Sequence, residues 1–203
     1  MPTLLITGAA GIVGTALRPF LRQRYNLRLL DRQPVDGLVP GETALVGDLT
    51  DPAFVRQAVE GVDGIVHLAC AHGTDIAFQS TVEPNYHATL YLLEAAQRSG
   101  VKRFVFASSH HVLGQYRGDQ AEFFDDMPVA PDSYYALSKV FGEATCATFA
   151  MRSELATFVV RIGNADPKVS DARRLRLWTS ARDLAQLLLI GLEHPEVRIE
   201  IVY

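Results

Sequence analysis

Short apolar runs alternate with segments of helical periodicity along this chain of 203 residues, and no other feature of the sequence constrains its fold as strongly. The runs that predict strands cover residues 3–7, 27–30, 43–46, 62–69, 103–107, 158–162 and 197–203. Helical patterns follow the first run and also cover residues 53–59, 79–99, 133–151 and 181–194. This order predicts an α/β fold, a doubly wound parallel sheet of about seven strands with helices on both faces. Because crossovers between parallel strands are right-handed, the carboxyl ends of the strands share one edge, where a ligand is expected to bind.

The composition is that of one folded domain over residues 1–203. Hydrophobic residues make up 48% of the chain and charged residues 21%, which excludes a disordered protein. The net charge of -4 gives no electrostatic footprint for nucleic acid, and no apolar stretch approaches the roughly 20 residues that cross a bilayer. No signal peptide is readable at the N-terminus, and Cys70 and Cys146 lie outside any metal or redox motif. We therefore expect a cytoplasmic protein without a metal ion, a nucleic-acid partner or a membrane partner.

A glycine-rich turn separates the first strand from the first helix, in the sequence Gly8-Ala9-Ala10-Gly11-Ile12-Val13-Gly14. Gly8 would permit a tight turn, Gly11 a close approach of backbone N–H groups to a pyrophosphate, and Gly14 close packing of the helix. The positive end of the helix dipole adds attraction for an anion. The glycine spacing differs by one residue from the G-x-G-x-x-G pattern of dinucleotide sites. Its place between a strand and a helix nevertheless favours a dinucleotide site over a purely structural turn.

The residues after the second and third strands bear on which dinucleotide binds. Asp31 ends the second strand, where a carboxylate accepts hydrogen bonds from the adenosine ribose and repels a 2′-phosphate, which favours NAD. Arg32 follows directly and leaves NADP open, because a guanidinium group can hold that phosphate. Asp48 and Leu49, after the third strand, are predicted to flank the adenine.

Tyr135 and Lys139 lie four residues apart at the start of a predicted helix and therefore share one of its faces. A phenol with an ordinary pKa near 10 is a poor base at neutral pH, but an adjacent ammonium group favours the phenolate. The pair predicts a tyrosine that accepts a proton from a substrate. For the pair taken alone, an exposed helix surface is the alternative.

These segments together resemble a known family. Residues 7–14, 48–49, 67–69, 108–109 and 135–139 are similar to the extended short-chain dehydrogenase/reductases, the NAD-dependent epimerase/dehydratase family, and the resemblance covers essentially the whole chain. Within that family, residues 104–114, 131–135 and 161–164 look most like uronate dehydrogenases, which oxidise C1 of a hexuronic acid to an aldarolactone with NAD. The resemblance implies a Rossmann fold, NAD as cofactor, a sugar acid as substrate and a homo-oligomer.

The resemblance also implies roles for individual residues. Ser109 would bind the reacting hydroxyl, Tyr135 would take its proton, and Lys139 would bind the nicotinamide ribose and tune Tyr135. The implied substrate contacts are Ser109, His110, His111, Asn164 and Arg173, of which Arg173 would bind the carboxylate. The implied cofactor contacts are Gly8, Ala10, Gly11, Ile12, Val13, Gly14, Asp31, Arg32, Asp48, Leu49, Leu68, Ala69, Asn85, Tyr135, Lys139 and Ile162.

Two other functions stay open from the sequence. A sugar-nucleotide epimerase or dehydratase would use the same Ser109, Tyr135 and Lys139, but it would need a larger C-terminal region to hold a nucleotide diphosphate. A nicotinamide-sensing protein would keep the fold without the chemistry. His110 and Asn164 stand where uronate dehydrogenases usually have Asn and Ser, which predicts a changed pocket. The chain is expected to be truncated at its C-terminal end or to be a minimal member, because family members continue for several tens of residues.

Overall fold

The computed structural model describes residues 1–116, 127–169 and 171–203, without the side chain of Arg173. Its strands are β1 (Thr3–Thr7), β2 (Asn26–Asp31), β3 (Glu42–Val46), β4 (Gly64–His67), β5 (Arg103–Ser109), β6 (Ala156–Ile162) and β7 (Ile199–Val202). All pair in parallel in one sheet of order β3-β2-β1-β4-β5-β6-β7. This confirms the predicted doubly wound sheet. The strand order reverses between β1 and β4, which is the point where such sheets bind ligands.

The helices are α1 (Ile12–Leu21), α2 (Pro52–Ala58), α3 (Phe78–Thr81), α4 (Ala88–Arg98), α5 (Tyr134–Arg152), α6 (Ala172–Arg176) and α7 (Ala181–Glu193). Polar side chains cap four of them, since Asp51, Ser133, Asp171 and Ser180 each accept a backbone N–H group of the first helical turn. A 3₁₀ turn, His110–Leu113, follows β5. None of the described helices combines the length and the apolar character needed to span a membrane.

The prediction of one regular helix over residues 79–99 is wrong. The structure has α3, then a π-helical turn over Val82–His87, then α4. Pro84 lies within this turn; a proline has no N–H group to donate and its ring crowds the preceding turn, so the wider π turn accommodates it. The prediction also made β4 too long and missed the short helix α6.

Each face of the sheet carries its own hydrophobic core, because successive strand residues point to opposite sides. Leu5 of β1 packs into the core that includes Val55 of α2 and Leu92 of α4. Its neighbours Leu4 and Ile6 pack into the opposite core, which is formed with the inner faces of α1 and α7.

His67, the last residue of β4, forms a polar link between the sheet and α4. Its Nδ1 lies 2.7 Å from Thr7 Oγ1 and its Nε2 lies 3.1 Å from Thr89 Oγ1, and all three residues are buried. Burial, with a smaller effect from the Lys139 cation, lowers the pKa of His67 from its usual value of 6.5 to about 3. The imidazole therefore stays neutral in the folded protein at physiological pH.

This histidine makes folding stability depend on pH. The unfolded chain binds a proton at His67 below about pH 6.5, whereas the folded chain resists it until about pH 3, so stability is lost as the pH falls through this window. Between pH 7 and pH 5 we expect a loss of about 2 kcal/mol of unfolding free energy from this group. Urea unfolding of the wild type and of His67→Gln at both pH values checks this. The loss should be smaller in the variant, and equal losses would contradict the assignment.

Candidate active site

A cavity of about 600 Å³ runs along the carboxyl ends of β1, β2, β4, β5 and β6. Its described lining includes most of the predicted site residues, namely Gly8, Gly11, Ile12, Val13, Gly14, Asp31, Arg32, Asp48, Leu49, Leu68, Ala69, Ser109, Tyr135, Lys139, Ile162 and Asn164. One part of the lining contains the glycine turn, Asp31 and Asp48. Another part contains Ser109, Tyr135 and Lys139. Ala10, Asn85, His110 and His111 lie outside the cavity lining of the described residues.

The glycine turn has the geometry of a pyrophosphate cradle. Gly8 has a φ of +72°, and a Cβ there would lie 2.7 Å from the Ala69 backbone nitrogen. A Cβ at Gly14 would lie 2.5 Å from the Gly8 carbonyl oxygen, so α1 can approach the turn only with glycine there. Gly11 caps α1 without a side-chain hydrogen bond, which leaves the first N–H groups of the helix to face the cavity. These features fit the phosphates of a dinucleotide.

Asp31 lies at the carboxyl end of β2 beside this cradle. Its Oδ2 accepts the Ala10 N–H group at 3.0 Å, and its Oδ1 accepts the Gln33 N–H group at 3.0 Å. Ala10, predicted as a cofactor contact, here orients the carboxylate. The carboxylate thus lies on the cavity lining with its position held by two backbone donors, as recognition of an adenosine ribose requires.

Helix α5 brings Tyr135 and Lys139 to the other end of the cavity. Ser133 caps the helix, so Tyr135 lies in the first turn and Lys139 one turn later on the same face. The Lys139 Nζ atom is buried, donates a hydrogen bond to the Ala107 carbonyl oxygen at 2.7 Å, and lies 5.6 Å from the centroid of the Tyr135 ring. Lys139 therefore presents a fixed positive charge to the phenol.

The charge state of Lys139 follows from its neighbours. Burial by itself lowers the pKa of this ammonium group. Electrostatic attraction to Cys70 and Tyr135, together with a hydrogen bond to the Cys70 thiol, has a larger effect and raises the pKa of Lys139 above its usual value. Lys139 is thus a cation at neutral pH, and its charge favours the phenolate form of Tyr135.

Asn85, in the π-helical turn, links three segments behind the cavity. Its Oδ1 accepts the Ala71 N–H group at 2.7 Å, and its Nδ2 donates to the Ala71 carbonyl oxygen and to Ser138 Oγ, each at 2.8 Å. Ser138 lies between Tyr135 and Lys139 on α5. The side chain predicted to contact the cofactor thus holds α5 against the segment after β4.

A buried charge cluster that the sequence analysis missed anchors the same helix. Glu143, one turn beyond Lys139, accepts two hydrogen bonds from Arg161 of β6, Nε to Oε1 at 2.9 Å and Nη2 to Oε2 at 2.7 Å. Ser108 of β5 donates to Glu143 Oε1 at 2.5 Å, and Arg161 also contacts the Tyr203 hydroxyl. No local pattern reveals this pairing, because Glu143 and Arg161 are 18 residues apart on different elements.

The predicted substrate residues are only partly gathered at the cavity. Asn164 lines it, and its buried Nδ2 has no hydrogen-bond partner among the described residues. The rings of His110 and His111 lie 4.2 Å apart beside the cavity, with His110 Nδ1 at 3.3 Å from the Ile162 carbonyl oxygen. Arg173 falls in α6, but its side chain lies outside the described part of the structure.

Comparison with known proteins identifies the family. The model of the NAD dependent epimerase/dehydratase family matches residues 4–166. The chain belongs to this family. This confirms the resemblance found in the sequence and, with the cradle described above, the prediction of NAD as cofactor.

Several relatives carry the names of dehydrogenases of sugars or sugar acids. The chain is 41% identical to a uronate dehydrogenase of Pseudomonas putida, over 98% of this chain and 75% of the relative. It is 32% identical to an NAD-dependent glucose-6-phosphate dehydrogenase of Haloferax volcanii, over 98% of this chain and 83% of the relative. A crystal structure of a uronate dehydrogenase variant from Agrobacterium tumefaciens, complexed with NAD, matches with a TM-score of 0.93 at 34% identity, covering all of this chain and 76% of that one.

The Glu143–Arg161 pair should contribute to the free energy of unfolding. Glu143→Gln leaves a buried guanidinium without its counterion and should cost about 3 to 5 kcal/mol. Replacing both residues, Glu143→Leu with Arg161→Met, should recover most of that loss because no charge is left buried and unpaired. Urea unfolding measures both.

The exposed pair Arg24–Glu193, joined at 2.7 Å, is the matched control, and Glu193→Gln should cost less than about 1 kcal/mol. Equal costs at Glu143 and Glu193 would show that burial adds nothing to the first pair.

Asp31 should set the choice between NAD and NADP. Asp31→Ala removes the ribose acceptor and the repulsion of a 2′-phosphate, so the preference for NADH over NADPH in binding titrations should narrow by roughly tenfold. Arg32→Ala is the matched comparison, because Arg32 lines the same cavity and would be the group that holds a 2′-phosphate. A wild type that binds NADPH as tightly as NADH would rule out this role of Asp31.

Proposed function

We propose that the protein is an NAD-dependent dehydrogenase that oxidises C1 of a uronic acid, or of a related sugar acid, to its lactone. The observation that carries the proposal is the meeting of Tyr135, Lys139 and Ser109 on the lining of the cavity that begins at the glycine cradle. The similarity to uronate dehydrogenases supports the substrate class.

Tyr135 is the proposed proton acceptor for the hydroxyl on C1. The Lys139 cation, 5.6 Å from the Tyr135 ring and held by the Ala107 carbonyl, favours the phenolate that can take this proton. Ser109 Oγ accepts the His111 N–H group at 3.2 Å, which orients the hydroxyl and lets its own proton point to the substrate oxygen. NAD, when bound, supplies the acceptor for the hydride.

The substrate side of the site is proposed from residues near the ends of β5 and β6. The unpartnered Nδ2 of Asn164 supports a hydrogen bond from this amide to the substrate, because a buried donor without a partner is costly. Arg173 is proposed to bind the carboxylate by two parallel charge-assisted hydrogen bonds, on the strength of the family resemblance. His110 and His111 are proposed to hydrogen-bond the sugar.

The proposal extends to the setting of the enzyme. Cys70 and Cys146 are free thiols, which supports a reducing, cytoplasmic compartment. Assembly as a homo-oligomer is proposed from the family resemblance.

NADH formation across a panel of substrates tests the function. Galacturonate and glucuronate should be oxidised, whereas neutral hexoses and nucleotide sugars should react much more slowly. Faster reaction with nucleotide sugars would favour an epimerase or dehydratase, and NAD binding without turnover on any substrate would favour a sensing protein.

Tyr135→Phe should lower kcat with the best uronate by about 10² to 10⁴ while NADH binding stays near normal, because only the proton acceptor is lost. The adjacent Tyr134→Phe is the matched control: Tyr134 is 53% exposed and packs edge-on against Phe78, so its hydroxyl should not matter. Steady-state kinetics and NADH titration give both values. An active Tyr135→Phe variant would assign the proton transfer to another group, such as His110 or His111.

A further inference from the structure

A carboxylate and an imidazole form a pair beside the cavity. Asp132 Oδ2 lies 2.8 Å from His111 Nδ1, and the Asp132 side chain is only 5% exposed. An ionised carboxylate can only accept hydrogen bonds, so His111 Nδ1 must carry the proton. In the neutral ring, Nε2 then has a lone pair and is an acceptor.

The surroundings of Asp132 hold it in this position. Ser133 Oγ, which also caps α5, lies 3.1 Å from Asp132 Oδ1 and donates to it. A Cβ at Gly114 would overlap the Asp132 carboxylate, so any other residue at this position would push the carboxylate out of its place. The segment before α5 and the turn after β5 thus fit together around the Asp132–His111 contact.

The imidazole lies next to the groups proposed to act on the substrate. Its ring is 6.3 Å from the Tyr135 ring, centroid to centroid, and nearly perpendicular to it. The backbone of the same histidine donates to Ser109 Oγ. The His111 side chain is 25% exposed, so a ligand can reach the ring.

We propose that Asp132 is a positioning residue that holds His111 in its Nδ1–H form, so that Nε2 accepts a hydrogen bond from the sugar hydroxyl next to the oxidised carbon. This rests on the proposed function. In a sugar ring, the groups next to C1 are the ring oxygen and the C2 hydroxyl. The reacting C1 hydroxyl is assigned to Tyr135 and Ser109, and of the two flanking groups only the C2 hydroxyl can donate to Nε2, so the pair selects substrates that carry a free hydroxyl at C2.

The first test reads the tautomer without any substrate. Nitrogen-15 NMR of the histidine rings at neutral pH distinguishes Nδ1–H from Nε2–H, and His111→Asn assigns the signal. We expect the Nδ1–H form in the wild type and a shift to Nε2–H in Asp132→Leu, which removes the acceptor. Gly114→Ala should shift it in the same direction, because the added methyl takes the place of the carboxylate without changing either partner.

The second test reads substrate selection. The ratio of kcat/KM for glucuronate to that for its 2-deoxy analogue should favour glucuronate by about 10- to 100-fold in the wild type, since the analogue leaves the Nε2 acceptor without its hydrogen bond. The ratio should fall about tenfold or more in Asp132→Leu and in Gly114→Ala. Asp75→Leu is the matched control. Asp75 is exposed and lines the same outer cleft as Asp132, but it is far from His111 in the sequence and forms no described contact with it.

The outcomes separate this proposal from the proposed function. An Nε2–H tautomer in the wild type, or an unchanged tautomer in Asp132→Leu, would overturn the role of Asp132. A tautomer that shifts while the substrate ratio stays constant would overturn the contact with the C2 hydroxyl. If no uronate is oxidised at all, the proposed function fails, and the tautomer measurement still decides whether Asp132 positions His111.

Discussion

The position of helix α5 depends on one buried ion pair, that of Glu143 with Arg161. Both side chains are 6% exposed, so neither charge is hydrated and each is neutralised by the other. Because Arg161 belongs to β6 and Ser108 of β5 donates to the same carboxylate, the pair joins α5 to the two strands that end at the cavity. Gly142 adds a close approach, since a Cβ there would overlap the Phe106 ring of β5. Tyr135 and Lys139 stand on the helix that these contacts hold.

The two ends of the cavity are built in different ways. At the cofactor end, the contacts that matter come from the backbone: the Gly8 turn, the first N–H groups of α1, and the amides that hold Asp31. At the end that holds Tyr135 and Lys139, side chains from distant segments meet, with Asn85 on Ser138, Asp132 on His111 and Glu143 on Arg161. Backbone geometry tolerates many neighbouring side chains, whereas a buried polar network requires every partner to be present.

This difference explains what the sequence could predict. A parallel sheet of seven strands follows from local periodicity, and this prediction is confirmed. The glycine turn has the tight conformation and the close helix approach that were predicted, whereas its role in binding a pyrophosphate stays a prediction. The π-helical turn was missed because periodicity does not show how Pro84 is accommodated. The partners of Glu143 and Asp132 were missed because they lie 18 and 21 residues away, and the sequence shows a charged residue without showing what it faces. The roles of the individual site residues stay predictions.

The buried polar groups near Tyr135 also bear on how the substrate end can change. A substitution at Asn164 removes one hydrogen bond, from the Asp166 N–H group to its Oδ1, and its Nδ2 has no described partner to lose. A substitution at His111 or Glu143 leaves a buried charged group, Asp132 or Arg161, without this partner, and an unpaired buried group costs more than a hydrogen bond is worth in net terms. A residue of the cavity wall such as Asn164 can therefore vary at a lower cost in stability than a residue that pairs with a buried charge. The cavity wall can then change with little effect on the sheet, while the buried pairs behind it constrain the orientation of α5 and of Tyr135 and Lys139 on it.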